Sequence, residues 1–410
     1  MTTDANRFEN TPLGGLKVLD FTHFVAGPLA TMILADAGAD VIKVEKPTGD
    51  DQRHFAPREE KLGGQGPSFL WGNRNKRGVT LDMKSEKGRE IAHALVAKAD
   101  VLVENFSSRV MKQYGLDYES VKAFNPGIIY CSVSAFGRTG EYADRLGFDP
   151  VMQAESGFMG LSGWPQDPGM RAGAPLMDIA TGMMASNAVL IALAAKARTG
   201  KGQFVEVPLY DTSIIMTGFA AMNYLMSGRI PVRTGNASND SVPSGILNTA
   251  DKPIFVSCAS TVTFRRLFAD VLGMKEIAEE PALQEGAGRL DQRERIYAIL
   301  NEAFSKDTRA NWLKRLAAAN IPAGAVNELP DALDGDIIAS RGMISHIPHP
   351  QAGTVPNIAL PLYFGETPVV KPTAAPTLGQ HNEEVVRDEL GYSGAEIKAA
   401  KEAGAFGPKW

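Results

Sequence analysis

Cysteine is scarce in this chain of 410 residues: only Cys131 and Cys258 occur, each inside an apolar run. Buried free thiols are therefore expected, and they fit a reducing cytoplasm better than a disulfide-stapled secreted protein. The N-terminal stretch MTTDANRFENTPLGG lacks the basic start and apolar core of a secretory signal. No export is expected, and the predicted location is the cytoplasm.

The chain also lacks an excess of positive charge and has few clustered metal ligands. The formal net charge is -5 at pH 7 and the pI is near 5.8. A general nucleic-acid partner is not expected, because such proteins usually carry a strongly basic surface. Only His346 and His349 lie close together among the six histidines, so no metal site is predicted. Ser/His/Asp signatures and nucleophile elbows are absent too.

One long apolar stretch, Met177 to Ala197, is long enough to raise the alternative of a transmembrane helix. Polar side chains interrupt its first half: Asp178, Thr181, Ser186 and Asn187. The small residues throughout the stretch suit a helix that is packed closely inside a protein. We therefore expect a buried helix and no membrane partner.

The order of apolar segments in the first quarter of the chain predicts the fold class. Apolar, β-branched runs such as LKVLDF, DVIKVEK and VLVENF alternate with amphipathic segments such as PLATMILADAG and EKGREIAHALVAKA. This alternation is typical of βαβ units and predicts an α/β fold with a Rossmann-like, largely parallel sheet. Pro28 near the start and Gly38 after the end mark the first helix.

Composition changes along the chain predict its domains. Residues 227–251 are rich in Gly, Asn, Ser and Pro without a hydrophobic period, which indicates a linker or an active-site loop. We expect a large α/β domain over residues 1–226 and a small α/β domain with this linker over residues 227–325. Residues 326–410 are expected to return to the large domain, with SHIPHPQAGTVPNIALPLYF as an irregular connection.

The sheet-rich start also raises the alternative of dinucleotide binding, which the sequence does not support. The first strand is followed by THFVAGPLA, with one glycine instead of the three that bring a backbone against a pyrophosphate. His23 and Gly27 are nevertheless expected at the carboxyl end of a strand, where open α/β sheets bind ligands.

Asp178 is the outstanding ionisable residue, because the surrounding stretch AGAPLMDIATGMMASNAVL carries no other charge. One interpretation is an acid that caps a helix or interacts with its dipole. The other is a nucleophile, since a carboxylate at a helix start can attack a thioester and form a mixed anhydride. The position alone leaves both interpretations open.

Seven motifs in order carry a family resemblance: GLKVLDFTHFVAGPLATMILADAGADVIKVEKPTGDD, NRNKRGVTLDMKSEKG, ADVLVENF, SVSAFGRTGEY, GFDPVMQAESG, MDIATG and TGKGQFVEVPLYD. Their order and spacing resemble the class III CoA-transferases of the CaiB/BaiF type over nearly the whole chain. The resemblance implies ring-shaped subunits in an interlocked homodimer and Asp178 as the nucleophile. It also implies acyl-CoA and a free carboxylic acid as substrates, with no metal or permanently bound cofactor.

The resemblance also assigns binding residues by motif. The implied coenzyme A contacts are Val25, Ala26, Lys46, Leu81, Asp82, Met83, Lys84, Asn105, Phe106, Ser107 and Gln113. The implied acyl pocket comprises His23, Arg145, Leu146, Gly147 and Phe148. Val25, Gln113, Leu146 and Phe148 depart from the residues of formyl-CoA transferase, and its glycine-rich lid has no evident counterpart around residues 241–245. An oxalate or formyl substrate is therefore not expected.

The sequence leaves two alternatives to a transferase open. The α-methylacyl-CoA racemases of the same superfamily carry a histidine in a GHD motif, where this chain reads GFD at Gly147 to Asp149. A non-catalytic CoA-binding scaffold could share the fold, since a fold does not guarantee activity. For a transferase, we expect succinyl-CoA or another dicarboxylyl-CoA as donor, because Arg145, Arg171 and Arg233 could meet a second carboxylate.

Overall fold

The computed structural model describes residues 10–408, which form two units. The first unit contains the described residues up to Ser156, Ala172–Gly218 and 339–408, and the second contains Gly157–Arg171 and Phe219–Ile338. These limits differ from the predicted domain limits after residues 226 and 325. They also assign Gly157–Arg171, which lies within the predicted large domain, to the second unit.

A six-stranded parallel sheet forms the centre of the first unit, with the order β3-β2-β1-β4-β5-β6. The strands are β1 (Lys17–Phe21), β2 (Asp40–Glu45), β3 (Arg77–Thr80), β4 (Val101–Glu104), β5 (Ile129–Ser134) and β6 (Gln203–Pro208). Leu19 on the central strand pairs with Ile42 on one side and Leu102 on the other. Strands β1 to β5 are almost entirely buried, as expected for a parallel sheet covered on both faces. The predicted α/β class with a parallel sheet is confirmed.

Helices cover this sheet. Those of the first unit up to residue 218 are α1 (Ala26–Asp36), α2 (Ser68–Asn73), α3 (Glu86–Val96), α4 (Ser108–Gln113), α5 (Tyr118–Phe124), α6 (Asp149–Glu155), α8 (Leu176–Thr199) and α9 (Leu209–Met216). Near the end of the chain follow α18 (Asn382–Leu390) and α19 (Gly394–Glu402). Apolar residues of α3, α18 and α19 form one core cluster with alternate strand residues such as Leu19 and Phe21. The final helices are therefore part of the large hydrophobic core.

Helices α1 and α8 cross closely, because a glycine lies at their contact. A Cβ on Gly182 would lie 2.7 Å from the carbonyl oxygen of Ala26 and 3.0 Å from Cβ of Leu29. The glycine of the MDIATG motif therefore lets the start of α8 approach α1. Pro28 lies in the first turn of α1, and Gly38 follows the helix with a φ of +101°, as the sequence indicated.

Helix α8 is long and apolar enough to span a membrane by length and composition, the one such helix among the described residues. That test is weak, since core helices pass it too. In the structure α8 packs against α1, α9, β5 and β6. One side of α8 is therefore packed inside the first unit, but Met183, Met184, Leu190 and Ile191 are exposed, so the expectation of a buried helix holds for part of its surface only.

The second unit contains the antiparallel sheet β7-β8-β9, formed by Ser244–Leu247, Ile254–Ser257 and Ala323–Ala325. Its helices are α7 (Phe158–Leu161), α10 (Phe219–Ser227), α11 (Thr261–Arg265), α12 (Lys275–Ala278), α13 (Gly286–Asp291), α14 (Arg293–Phe304), α15 (Arg309–Ala318) and α16 (Leu329–Leu333), with a π-helical segment over Arg266–Val271. Helix α17 (Asp336–Ser340) follows. Strand β7 lies within residues 227–251, which were predicted as a linker or an active-site loop. Part of that stretch is therefore a strand, since Ile246 and its neighbours pair with β8.

The segment predicted as irregular near the end of the chain contains an antiparallel hairpin, which corrects that expectation. Strand β10 (Ile344–His349) pairs with β11 (Gly353–Ile358). Pro348 and Pro356 lie within these strands, and proline in a sequence argues against a strand. A two-stranded hairpin nevertheless tolerates proline, because each of its strands has a free edge. Ile347 and Val355 pack with Leu62 in a small apolar cluster.

Both cysteines are free and buried, as predicted. Burial raises the pKa of the Cys131 and Cys258 thiols to about 12. Both residues therefore act as small apolar groups rather than as reactive thiols.

Candidate active site

Two loops at the carboxyl edge of the sheet are joined through one asparagine side chain. The backbone N–H of His23, after β1, donates to Oδ1 of Asn105, after β4, at 2.9 Å. Nδ2 of Asn105 donates back to the carbonyl oxygen of His23 at 2.8 Å. Because both groups of the amide are used, Asn105 fixes the His23 loop against the end of the neighbouring strand.

The His23 loop is also fixed by the buried ion pair of Lys43 and Asp50. Phe24 has a φ of +62°, a left-handed conformation that a phenylalanine rarely adopts. Its N–H donates to Asp50, and Asp50 accepts a hydrogen bond from Nζ of Lys43 at 3.0 Å. Lys43 also donates to the carbonyl oxygen of Thr22 at 2.9 Å. The strained backbone is thus retained by contacts on both sides of it.

Aromatic rings pack around His23. Its imidazole stacks on Phe106 with ring centroids 4.8 Å apart, and Phe24 lies 4.5 Å away. Phe24 also meets Phe148 edge to face at 5.7 Å. Burial lowers the pKa of His23, so its imidazole is neutral at pH 7.

Asp178 is the third residue of α8 and lines a cavity at this edge of the sheet. Burial, together with the negative charge of Asp149, raises its pKa to about 7. Among residues 10–408, no side chain or backbone group donates a hydrogen bond to its carboxylate. The described part of the chain therefore offers no hydrogen bond that would stabilise the charged carboxylate.

Asp149, which sequence reasoning did not identify as a site residue, caps the helix that carries Asp178. Its Oδ2 accepts from the N–H groups of Met177 and Asp178, at 2.7 and 3.3 Å. Its Oδ1 accepts from Gln153 at 2.6 Å. One interpretation of Asp178 was an acid that caps a helix. Asp149 takes that role instead, because its carboxylate accepts from the N–H groups of Met177 and Asp178 at the start of α8.

The cavity around Asp178 has a volume of about 370 Å³. It is lined by His23, Phe24, Val25, Ala26, Asn105, Phe106, Ser107, Val110, Val133, Ser134, Ala135, Arg138, Ala143, Asp144, Arg145, Leu146, Gly147, Phe148, Asp178 and Leu209. We call it the acyl cavity. A Cβ on Gly147 would lie 2.0 Å from Cε of Met152, so a larger residue where the chain turns into α6 would displace the end of that methionine side chain.

A second cavity of about 500 Å³ lies beside the acyl cavity and shares Phe106 and Val110 with it. The remaining lining residues are Phe21, Val44, Glu45, Lys46, Pro47, Thr48, Leu81, Asp82, Met83, Lys84, Met111, Tyr114, Leu116 and Pro408. We call it the coenzyme cavity. The shared wall means that one extended ligand could occupy both spaces.

Comparison with known proteins decides the family. The model of CoA-transferase family III matches residues 13–382. The chain belongs to this family. A succinate–glutarate CoA-transferase from Agrobacterium fabrum is 34% identical over 393 residues, covering 95% of this chain and 98% of the relative. The human succinyl-CoA:glutarate CoA-transferase is 32% identical, covering 96% of this chain and 89% of the relative.

Solved structures of the CaiB/BaiF type agree with this assignment. A CaiB/BaiF family protein from Brucella suis superposes with a TM-score of 0.83 at 37% identity, covering 93% of this chain and 100% of that one. The resemblance seen in the sequence is therefore confirmed. The protein is a CoA-transferase: it moves coenzyme A between carboxylic acids and uses CoA thioesters as substrates.

The motif assignments of this CoA-transferase fall into the two cavities. His23, Val25, Ala26, Asn105, Phe106, Ser107, Arg145, Leu146, Gly147 and Phe148 line the acyl cavity with Asp178. Lys46, Leu81, Asp82, Met83, Lys84 and Phe106 line the coenzyme cavity. Gln113 is exposed at the end of α4 and lines neither of them.

The arginines considered for a second carboxylate lie in different places. Arg145 lines the acyl cavity, where its Nη1 donates to Oε2 of Glu155 at 2.8 Å and its guanidinium lies over the ring of Phe136. Arg171 and Arg233 belong to the second unit. Helix α6 brings Glu155 back to Arg145, which the sequence order did not reveal.

Arg138 is a further cation of the acyl cavity that sequence reasoning missed. It donates to Oε1 of Glu104 at 2.9 Å and to Oγ of Ser132 at 2.6 Å. Burial raises the pKa of Glu104 despite the nearby guanidinium. The arginine follows β5 in the motif SVSAFGRTGEY, so its position after a parallel strand was the available signal.

Proposed function

We propose that this CoA-transferase works through covalent catalysis by Asp178. The observation that carries the proposal is a partly buried carboxylate with a raised pKa and no hydrogen-bond donor among the described residues. Its cavity lies beside a second one lined by the implied coenzyme contacts. A purely structural acid at a helix start would cap the helix, and Asp149 already does so.

The exchange consists of four transfers. A carboxylate oxygen of Asp178 attacks the carbonyl carbon of the donor thioester, the C–S bond breaks, and coenzyme A thiolate leaves a mixed anhydride. The thiolate then attacks the aspartyl carbonyl, which releases the donor acid and forms an aspartyl thioester. The acceptor carboxylate attacks this thioester and expels the thiolate, which finally attacks the acceptor carbonyl. Asp178 is thereby regenerated as a carboxylate.

The environment of Asp178 suits this role. Ionisation is required for attack, and a pKa of about 7 leaves a large ionised fraction at neutral pH. Burial removes water that would solvate the charge and hydrolyse an anhydride. Because Asp149 lies at the same helix start, its charge disfavours the Asp178 carboxylate and favours its conversion into a neutral acyl group.

The coenzyme is proposed to extend from one cavity to the other. Lys46 and Lys84 line the coenzyme cavity and can face phosphates as point charges. Lys46 is paired with Asp51 at 2.6 Å on the surface, a weak pair that a phosphate can replace. The thioester would then pass Phe106 and enter the acyl cavity near Asp178.

A racemase finds less support in the acyl cavity. The position that carries a histidine in racemases is Phe148, which cannot transfer a proton. The ring of Phe148 packs on the edge of Phe24 instead. The site thus contains an aromatic wall where a racemase needs a second acid/base group.

We propose a dicarboxylyl-CoA, with succinyl-CoA as the first choice, as donor. The similar proteins from Agrobacterium fabrum and Homo sapiens are named for succinate, or succinyl-CoA, and glutarate. Arg145 and Arg138 supply cations in the acyl cavity. The pair between Arg145 and Glu155 is exposed and therefore weak, so a substrate carboxylate can replace Glu155.

A homodimer is also proposed, as the family resemblance implies, and the exposed apolar side chains support it. Ile191 on α8 and Ile215 on α9 are 70% and 66% exposed, and Met183, Met184, Leu190, Ile214 and Met216 are exposed on the same two helices. Apolar surface of this extent usually marks an interface. Sedimentation in native buffer at low and high salt should show a dimer in both, and a monomer would contradict the proposal.

Trapping the acylated residue tests the proposed mechanism. After incubation with succinyl-CoA and then hydroxylamine, peptide mass spectrometry should find a hydroxamate at Asp178. Asp178→Asn should lose turnover by roughly 10³-fold or more, because the amide cannot form the anhydride. Coenzyme A binding should persist, since the residue lies outside the coenzyme cavity.

Asp144→Asn is the matched control, because Asp144 lines the same cavity but is exposed. This variant should retain most of the turnover. Substantial turnover of Asp178→Asn, without deamidation to Asp, would place the nucleophile elsewhere. The cytoplasmic location stays a prediction.

A further inference from the structure

The second unit contains a cavity that the proposed reaction does not use. Its volume is about 460 Å³, and it is lined by residues of Gly157–Arg171, of the stretch before β7, and of α14. Two arginines, Arg233 and Arg293, line it together with Glu294. Summing their charges, two positive and one negative, gives a net charge of +1 for the lining.

The two guanidinium groups have no carboxylate partner within 4.0 Å among residues 10–408. Arg233 donates only to backbone carbonyl oxygens, those of Trp164, Gly160 and Pro165, at 3.2 to 3.4 Å. These bonds fix the guanidinium but do not neutralise it. A fixed cation without a counter-ion is suited to an anionic ligand.

Arg293 carries the more direct signal. Its Nη2 donates to the carbonyl oxygen of Ser238 at 2.7 Å. Its Nη1 is buried and has no hydrogen-bond partner, one of two such side-chain atoms in the described part of the chain. Leaving a buried charged donor unpaired is costly. Solvent does not reach this atom, so an anion in the cavity would balance the charge of the guanidinium from nearby rather than pair with Nη1.

Neutral donors and an apolar wall complete the cavity. The hydroxyl of Tyr297 accepts from the N–H of Ser244 at 3.1 Å, so its own proton is left to donate. Asn301 adds an amide. Trp164 is 47% exposed and contributes an aromatic face.

We propose that this cavity binds an organic monocarboxylate, with its carboxylate at Arg293 and its apolar body against Trp164. A singly charged group matches the net charge of +1, whereas the double charge of phosphate would exceed it. The carboxylate is attracted by the unneutralised guanidinium of Arg293 and can accept a hydrogen bond from the hydroxyl of Tyr297. The inference concerns a site separate from the acyl cavity and does not depend on the role of Asp178.

The test uses the full chain labelled with 5-fluorotryptophan. The ¹⁹F resonance of Trp164, assigned with Trp164→Phe, should shift saturably as hexanoate is added. The resonance of Trp312, a buried residue of the same unit that is 4% exposed, should not move. 1-Hexanol has the same apolar body without the charge, and inorganic phosphate has the charge without the body. Both should shift the Trp164 resonance far less than hexanoate at equal concentration.

Variants identify the anchor. The Kd for hexanoate is read from the saturation curve of the Trp164 resonance. Arg293→Gln should raise this Kd about tenfold, since one charge-assisted contact is lost. Arg293→Lys keeps the charge without the guanidinium fork. Its Kd for hexanoate should lie between that of the wild type and that of Arg293→Gln. Arg295→Gln is the control on the same helix, because Arg295 pairs with Glu280 outside the cavity.

Three outcomes would overturn the proposal: no saturable shift with hexanoate, an unchanged response in both Arg293 variants, or an equal response to phosphate or to hexanol. Because the readout is the tryptophan resonance in the second unit, these outcomes are distinct from a failed hydroxamate experiment at Asp178.

Discussion

The acyl cavity and the coenzyme cavity are neighbours, yet they are built in different ways. The coenzyme cavity presents apolar residues of the sheet edge, with Lys46 and Lys84 among its lining. The acyl cavity contains Asp178 without a hydrogen-bond donor, and a second carboxylate, Asp149, lies at the same helix start. In the proposed mechanism, the first arrangement provides affinity for the coenzyme and the second provides reactivity.

This difference shows where the fold accepts an energetic cost. In the acyl cavity, the raised pKa of Asp178 means that ionisation costs free energy in the folded state. That cost is present at pH values above about 7 and disappears as the pH falls below the ordinary pKa of an aspartate. In the coenzyme cavity, the buried carboxylate of Glu45 is instead paired with the guanidinium of Arg53. Changes to the first cavity should therefore alter rate, and changes to the second should alter affinity.

Apart from replacement of Asp178 itself, the largest effect is expected where α8 meets α1. Gly182→Ala adds a Cβ 2.7 Å from a backbone oxygen, so the helix must shift and move Asp178. A displacement of about 1 Å can cost roughly 100-fold in rate. We expect kcat to fall by about that factor while coenzyme A binding, measured by calorimetry, changes little. Gly173→Ala is the control, since a Cβ there meets nothing within 4 Å.

If both variants lose activity equally, the close crossing of α8 and α1 does not position the nucleophile. If Gly182→Ala loses coenzyme A binding as strongly as rate, the two cavities are not separable in the way described.

Much of this architecture could be predicted from sequence, since β-branched runs and amphipathic segments reveal parallel βαβ units directly. Asp178 stands out in the sequence as a lone charge in an apolar stretch, and in the structure it lines the acyl cavity. Asp149 was not, because its role depends on α6 placing it at the start of a helix 28 residues later in sequence. The unpaired Nη1 of Arg293 could not be found either, because an unpaired atom is a property of the folded structure.

A second prediction separates the two carboxylates by pH. Asp149→Asn keeps an oxygen that can cap α8 but removes the charge that helps raise the pKa of Asp178. Activity should rise with pH through about 7 in the wild type, because Asp178 must be ionised. In the variant this rise should move to lower pH by roughly half a unit to one unit, since burial, the larger cause, remains.

The pH profile of kcat/KM, with thermal melting as a check of folding, measures this shift. An unchanged profile in a folded variant would mean that the titrating group is not Asp178. A shift to higher pH would mean that Asp149 stabilises the carboxylate rather than opposing it.

The smallest effect is expected at Arg145, which lines the acyl cavity but does not carry the acyl group. Arg145→Gln should raise the KM for a dicarboxylate such as glutarate about fivefold, corresponding to one exposed ion pair. The KM for butyrate, which lacks the second carboxylate, should stay constant, and kcat should change little. Glu155→Gln is the complementary variant, because it frees Arg145 from its partner and should lower the KM for glutarate. Steady-state kinetics with both acids measures these KM values. Equal changes in KM for glutarate and butyrate would show that Arg145 only shapes the cavity. Another cation, with Arg138 as the first candidate, would then meet the distal carboxylate.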